Sequence, residues 1–400
     1  LPRLQAIAAN AGARFALTTG AILSLASMVF EVASDLGALT WLATDSADLA
    51  DADAWQPTPI GQETLAFLQS TSGSTGVPKG VMLTHGNLLA NLAVIKDAFQ
   101  LTAHDVGVSW LPPYHDMGLI GGILQPIYAG LPCVLLSPLD FLQRPMRWLR
   151  AITRHRATVS GGPNFAYELC ARKVTPAQLA ELDLSSWRVA FNGAEPVRAA
   201  VLDSFASSFA ACGFRPEASY PCYGLAEGTL IVSGGDPARE PARITLSARA
   251  LEANRAVPTE PDASDGVILV SAGAPRPSVE LAVVDPASQA RCRPGAVGEI
   301  WLAGPSVAQG YWDRPAETAE LFGARIAGEQ SGPFLRTGDL GFVLDGELYV
   351  TGRLKDLIIV DGRNHYPQDI EQSVEQSHAA IRPGCSAAFA IERGGQERLV

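Results

Sequence analysis

Up to about residue 235, short apolar runs rich in β-branched residues alternate with amphipathic stretches. Ala13 to Thr18, Leu65 to Leu68, Cys133 to Ser137, Thr158 to Ser160 and Arg188 to Phe191 have the length and flanking turn signals of buried strands. Leu1 to Gly12, Gly86 to Phe99, Pro145 to Arg154, Pro163 to Arg172 and Pro196 to Phe209 repeat their apolar positions at helical spacing. Several of them carry proline in the first turn. Such alternation predicts parallel β-sheets flanked by helices, an α/β fold. From Gly266 onward the pattern changes to short strands and turns at Gly266 to Val270, Val279 to Val284 and Gly298 to Leu302. That pattern predicts a small antiparallel or barrel-like subdomain. No internal repeat is evident.

These changes divide the chain into sheet subdomains over 1–235, an Ala-, Pro-, Arg- and Asp-rich insertion over 236–265, and a β-rich part over 266–352. The remainder, 353–400, is too short to bury its own core and reads as the opening of a further small α+β domain. Leu119 to Leu136 carries no charge over a length at which a membrane helix must be considered. Pro126, Pro132, Gly121, Gly122 and Gly130 argue against one, and the stretch reads as a helix followed by a strand from Pro132 to Leu136.

Four hundred residues exceed one compact core, and 47% apolar with 18% charged residues fits an ordinary globular chain. A net charge of −11 excludes the basic footprint that a nucleic-acid partner requires. The cysteines at 133, 170, 212, 222, 292 and 385 form no C-x-x-C pair, so they read as reduced thiols of a cytoplasmic protein without a zinc site. The chain opens without the basic cluster and cleavage site of a signal peptide.

The most informative string is Gln69-Ser-Thr-Ser-Gly-Ser-Thr-Gly-Val-Pro-Lys-Gly80. Thr71, Ser72, Gly73, Ser74, Thr75 and Gly76 offer backbone N–H groups and hydroxyls with little bulk, and Lys79 adds a point charge, which suits a polyphosphate. Pro78 stands where a Walker loop requires glycine, so that motif is excluded. A plain surface loop is the alternative. Further along stand Trp110-Leu-Pro-Pro-Tyr-His-Asp-Met-Gly-Leu119, Gly161-Gly-Pro-Asn-Phe-Ala-Tyr167, Phe191-Asn-Gly-Ala-Glu-Pro196, Tyr223-Gly-Leu-Ala-Glu227, Arg336-Thr-Gly-Asp339 and Gly352-Arg-Leu-Lys-Asp356.

In this order, these motifs resemble the adenylate-forming superfamily of acyl-CoA synthetases, luciferases and adenylation domains. The wording of 112–117, of 161–167 and of Gly362-Arg-Asn-His-Tyr-Pro-Gln-Asp369 resembles its fatty acyl-AMP ligase branch. The resemblance implies a large α/β domain with a small β-barrel-like subdomain and a C-terminal lid. It implies a fatty acid activated by ATP and Mg²⁺ to an acyl-adenylate, with the acyl group passing to the phosphopantetheine thiol of a holo acyl carrier protein in lipid, polyketide or lipopeptide synthesis. Transfer to coenzyme A, or a non-catalytic acyl- or nucleotide-binding module, are the alternatives. Neither nucleic acid nor membrane insertion enters this scheme. Compared with the family, the chain reads as a segment. The lid lysine that serves the adenylation step is expected beyond Val400, which would cripple the first half-reaction here.

The resemblance assigns residues as well. Lys79 and the loop before it face the departing pyrophosphate, and Glu227 holds Mg²⁺. Asn192, Gly193, Ala194, Glu195, Tyr223 and Gly224 surround adenine. Asp339 accepts the ribose hydroxyls, Arg353 caps ribose and phosphate, and Lys355 is the lid hinge. His115 is expected as a gate near the acyl carboxylate, with a packed structural histidine as the alternative. Trp110, Met117, Ile120, Gly162, Asn164 and Phe165 are expected around the acyl chain. The insertion is expected to restrict lid rotation and disfavour coenzyme A. Arg147, Arg150 and Arg154 recur at helical spacing and form a candidate docking face for an acidic carrier, or a solvated one.

Overall fold

The computed structural model describes residues 2–46, 54–71, 78–360, 363–378, 380–382, 385–393 and 396–400. Ser72, Gly73, Ser74, Thr75 and Gly76 of the candidate phosphate loop, and Gly362 of the later motif, lie outside them.

The helices and strands that the periodicity predicts form within a few residues of their expected bounds. Leu65–Thr71 pairs antiparallel with Lys79–Thr84, so the flanks of the hydroxyl-rich string are the two arms of a hairpin. Thr84 then caps the helix His85–Ala98, its hydroxyl accepting from the Asn87 N–H while the Asn87 side chain returns to the Thr84 N–H.

The principal sheet has the strand order Ala274–Pro275, Ile231–Gly234, Ser219–Gly224, Val189–Asn192, Val159–Gly161, Gly107–Ser109, Cys133–Leu135. The last five strands run parallel and the first two antiparallel to their neighbours. Against this sheet lies an aromatic core in which Trp148, Trp187, Phe205 and Phe209 are fully buried. Trp148 meets Trp110, Phe141, Tyr167 and Trp187 edge to face, and its indole N–H donates to Ser160 Oγ at 2.7 Å. A second apolar layer holds Ile95, Phe99, Leu131, Val159, Val189 and Ile231.

A four-stranded antiparallel sheet follows, in the order Glu280–Val284, Gly298–Ala303, Leu335–Leu344, Glu347–Arg353. The boundary read at 265/266 cuts through a two-stranded sheet, because Arg243–Ser247 pairs residue for residue with Gly266–Val270. The stretch read as an insertion is therefore built into the fold. Arg243 makes a two-pronged ion pair with Asp203 on the helix Ala199–Phe209. On its other side, Glu252 pairs with Arg363, and the Asn364 amide donates to Asn254 at 2.9 Å. Arg363 and Asn364 belong to the hairpin that opens the last part of the chain.

Leu119 to Leu136 forms a π-wound segment Met117–Leu124, a short helix Gln125–Ala129 and the strand Cys133–Leu135. Among the described residues, no helix is long and apolar enough to cross a membrane.

Candidate active site

In open α/β sheets, ligands sit where the parallel strands end. The strands Val189–Asn192 and Ser219–Gly224 end at the wall of a cavity of about 860 Å³, which receives Gly193, Ala194 and Tyr223 to Glu227. Ala194 holds a left-handed backbone with φ 75°, a conformation that an L-residue adopts at a cost of about 1–3 kcal/mol and that clusters at functional sites. The same cavity is lined by Thr71 and Lys79 of the first hairpin, by His115 and Met117, and by Arg353 and Lys355. Residues from five separate motifs thus meet at one cavity.

Asp339 stands just behind the wall, 5% exposed. Tyr223 donates its hydroxyl to Asp339 Oδ2 at 2.7 Å, and Arg353 donates Nε to Oδ1 at 2.9 Å. Burial pushes the Asp339 carboxyl above its usual range despite both partners, whereas the carboxylate beside Arg353 raises that guanidinium. Glu227 is raised chiefly by burial, and one of its oxygens accepts the Tyr311 hydroxyl at 2.7 Å. Lys79 lies 4.9 Å above the Tyr311 ring and forms an ion pair with Glu317, which Arg314 also binds at 2.7 Å. One chain of contacts therefore links the candidate magnesium carboxylate to the candidate phosphate lysine.

His115 sits at the cavity wall, where hydrogen bonding to Asp116 raises its pKa; the two side chains lie 2.6 Å apart. Among the described residues, no group of three His, Cys, Asp or Glu is placed to hold a metal ion alone. A single carboxylate at a phosphate site nevertheless fits Mg²⁺, which takes one or two carboxylates and completes its shell with phosphate oxygens and water.

The cavity continues as an apolar channel along the sheet. Gly107, Val108, Ser109, Val159, Phe191 and Ile231 form its floor, and Ile95, Phe99, Gly121, Gly122 and Gln125 cover it. Of the expected acyl residues only Met117 lines it. Trp110 is stacked on Phe141 in the aromatic core, Ile120 is fully buried among other residues, and Phe165 is exposed. Gly162 lies against Trp110, where an added Cβ would come within 2.6 Å of the ring. Asn164 is spent on structure, its amide donating to the Pro196 carbonyl at 2.9 Å. The physical reason is that Trp110 packs into the aromatic core, while the channel opens beside the glycines Gly107, Gly121 and Gly122. Asn192 and Glu195 also stand off the wall, the one donating to Asn164 Oδ1 and the other accepting the Asn164 N–H. The candidate docking arginines are largely paired, Arg150 with Glu181 and Arg147 with Asp140.

Sequence reasoning missed Glu299, Tyr311 and Glu317 and gave Arg336, which opens a quoted motif, no role; all four are on the cavity wall. Glu299, 1% exposed, accepts the Gly338 N–H at 3.1 Å, the Trp301 indole N–H at 2.9 Å and the Arg336 guanidinium. It holds the bulge in the strand Leu335–Leu344, at Gly338, that presents Asp339. A charge inside the apolar strand Gly298–Ala303 was the available signal.

The profile of the AMP-binding enzyme family matches residues 1–312. A medium-chain-fatty-acid–[acyl-carrier-protein] ligase, JamA of Moorena producens (strain JHB), is 48% identical over all of this chain and 68% of its own length. A second ligase of the same description, TtuA of Teredinibacter turnerae (strain ATCC 39867 / T7901), is 44% identical over 84% of this chain and 53% of its own length. The chain thus spans between about half and about two thirds of the curated relatives it matches. Among solved structures, a fatty acyl-adenylate ligase from L. pneumophila in complex with acyl adenylate and pyrophosphate superposes with a TM-score of 0.83. It is 43% identical, and the match covers 99% of this chain and 68% of that one. The chain belongs to the AMP-binding enzyme family, in its fatty acyl-AMP ligase branch.

Proposed function

We propose that the protein to which this chain belongs joins a fatty acid to AMP, releasing pyrophosphate, and passes the acyl group to the phosphopantetheine thiol of an acyl carrier protein. The observation that carries this reading is the single cavity joining a cationic, carboxylate-bearing end to an apolar channel. In the first step the fatty carboxylate attacks the α-phosphorus of ATP, forming the acyl–phosphate bond while the bond to pyrophosphate breaks. The obstacle is charge, since an anion approaches a phosphate ringed by anionic oxygens. Lys79 offsets charge on the leaving pyrophosphate. Glu227 would hold Mg²⁺, which when bound neutralises phosphate oxygens. Asp339 accepts the ribose hydroxyls, and Arg353 spans ribose and phosphate. Gly193 and Ala194 give adenine a close backbone edge beside the Tyr223 ring. Each methylene of the chain buried in the channel contributes about 0.8 kcal/mol.

The carrier thiol is preferred to coenzyme A as acceptor because the 236–265 stretch is fastened to both the helix Ala199–Phe209 and the hairpin carrying Arg363 and Asn364. That bridging supports a lid held against free rotation. The whole protein, given octanoate, ATP and Mg²⁺ with holo carrier protein and coenzyme A in parallel, decides the question. Carrier acylation with little acyl-CoA is expected, and rapid acyl-CoA formation would reverse the choice of acceptor.

A further inference from the structure

Lys79, the cation proposed to meet the leaving pyrophosphate, is already paired with a carboxylate. Glu317 reaches it from the first turn of the helix Pro315–Phe322. Glu317 lines the cavity, its side chain 34% exposed, and its other oxygen accepts from Arg314 at 2.7 Å. The hydrogen bonds from Lys79 and Arg314 hold its carboxyl below the usual range, so it is anionic at neutral pH.

The backbone brings the pair together. Residues 310–312 run antiparallel beside the strand Lys79–Thr84, with Val81 bridged to Tyr311. There the Met82 N–H donates to the Gly310 carbonyl at 2.9 Å, and the Trp312 N–H donates to the Gly80 carbonyl at 2.8 Å. The helix then folds back on this segment. Thr318 Oγ1 accepts the Tyr311 N–H at 3.0 Å, and a Cβ on Gly310 would stand 2.2 Å from Thr318 Cγ2. Glu317, next to Thr318, is thereby held beside Lys79.

An ion pair this exposed contributes little to stability. Its effect falls on what else Lys79 can bind. A phosphate group that takes Lys79 must displace a carboxylate whose helix is stitched in place, and the two anions then stand close together.

Resting on the placement of Lys79 at the leaving pyrophosphate, we infer that Glu317 loosens the hold of the site on pyrophosphate. It competes for Lys79 and so favours release of that product over its return to ATP.

The test uses the whole protein saturated with octanoyl-sulfamoyl adenosine, a non-hydrolysable analogue of the acyl-adenylate, so that turnover is not needed. Magnesium pyrophosphate is titrated into it by calorimetry. Glu317→Gln removes the charge but keeps an acceptor for Lys79 and Arg314. It is expected to bind pyrophosphate about tenfold tighter, the scale of one unit charge a few ångströms from another at a site open to water. The gain should shrink as ionic strength rises. Octanoyl-sulfamoyl adenosine should bind this variant as before, which also reports that it folds. Glu317→Ala removes the same charge and is expected to shift affinity in the same direction. Equal or weaker pyrophosphate binding in both variants overturns the inference, since a carboxylate that orients Lys79 or holds the metal gives that result. A gain indifferent to salt overturns it as well. Lys79→Ala separates the two readings. If it binds pyrophosphate as tightly as the unaltered protein, the placement of Lys79 falls first and this inference falls with it.

Discussion

Gly121→Leu tests whether the channel is where the acyl chain lies. Gly121 covers the channel, and a Cβ built on it meets only Leu230 Cδ2, at an ordinary 3.4 Å. The first carbon of the new side chain therefore fits, and the rest must extend into the cavity. An isobutyl group brings four carbons and displaces about as many methylenes of a bound chain. At about 0.8 kcal/mol for each, octanoyl-adenylate binding weakens by about 3 kcal/mol, or about 200-fold in Kd. An acetyl analogue does not reach the blocked segment and keeps its affinity. Replacing a helical glycine by leucine adds about 0.8 kcal/mol of helix propensity, so unfolding is not the expected outcome.

The assay is calorimetric titration with acetyl, butyryl, hexanoyl and octanoyl sulfamoyl adenosines. Affinity should rise with chain length in the unaltered protein and flatten after the shortest members in the variant. An unchanged length profile would refute the placement of the chain, whereas equal weakening of all members would mean that the substitution disturbs the nucleotide end.

Three further outcomes are expected. Because burial holds the Glu227 pKa above 4.5, its ionisation opposes folding above that raised value and costs nothing once the pH falls below 4.5. Glu227→Gln should therefore raise stability in urea near pH 7, with the advantage vanishing toward pH 4.5, and a constant difference across that range would contradict the assignment. Tyr223→Phe keeps the ring but removes the donor to Asp339, so urea unfolding should show a loss of about 1–3 kcal/mol, and no loss would mean that the hydroxyl is replaced by water. Trp148→Ala empties the centre of the aromatic core and should cost about 3–5 kcal/mol in the same assay, and a loss below 1 kcal/mol would mean that the core recloses.

The sequence made the cationic, carboxylate-bearing end of the cavity legible because its geometry is backbone geometry. Gly193 follows the strand Val189–Asn192, whose apolar run is plain to read, Gly224 stands within a quoted motif, and Asp339 follows a glycine held at φ 73°. The lining of the apolar channel was not legible. The large residues Trp110 and Phe165 attract attention as pocket formers, yet Trp110 packs in the aromatic core and Phe165 is exposed at its edge, while Gly107, Gly121 and Gly122 line the channel. A cavity is written in the residues that are small, and periodicity records only the large ones. Tyr311 and Glu317 were missed because the Lys79 contact joins positions far apart in the chain, and no local spacing encodes such a pairing.

On the proposed reading, Asp339 joins ribose recognition to the hinge. A carboxylate offers about four acceptor positions, and Tyr223 and Arg353 use two of them. About two remain, which is the number that a pair of adjacent ribose hydroxyls needs. Asp339 and Arg353 are also direct cross-strand partners, and the Leu354 N–H returns to the Gly338 carbonyl at 2.8 Å. Lys355 thus follows a residue stitched to the strand bulge at Gly338 that presents the proposed ribose acceptor. Glu299 fixes that bulge from the other side through the Gly338 N–H. If Asp339 takes a ribose as proposed, a shift of its carboxylate would strain either the Glu299 contact or the Arg353 pair, and the second leads toward the proposed hinge at Lys355. The exposed member of this network is Arg353, whereas Asp339 and Glu299 are buried, so the strain is relieved most cheaply by moving the hinge side.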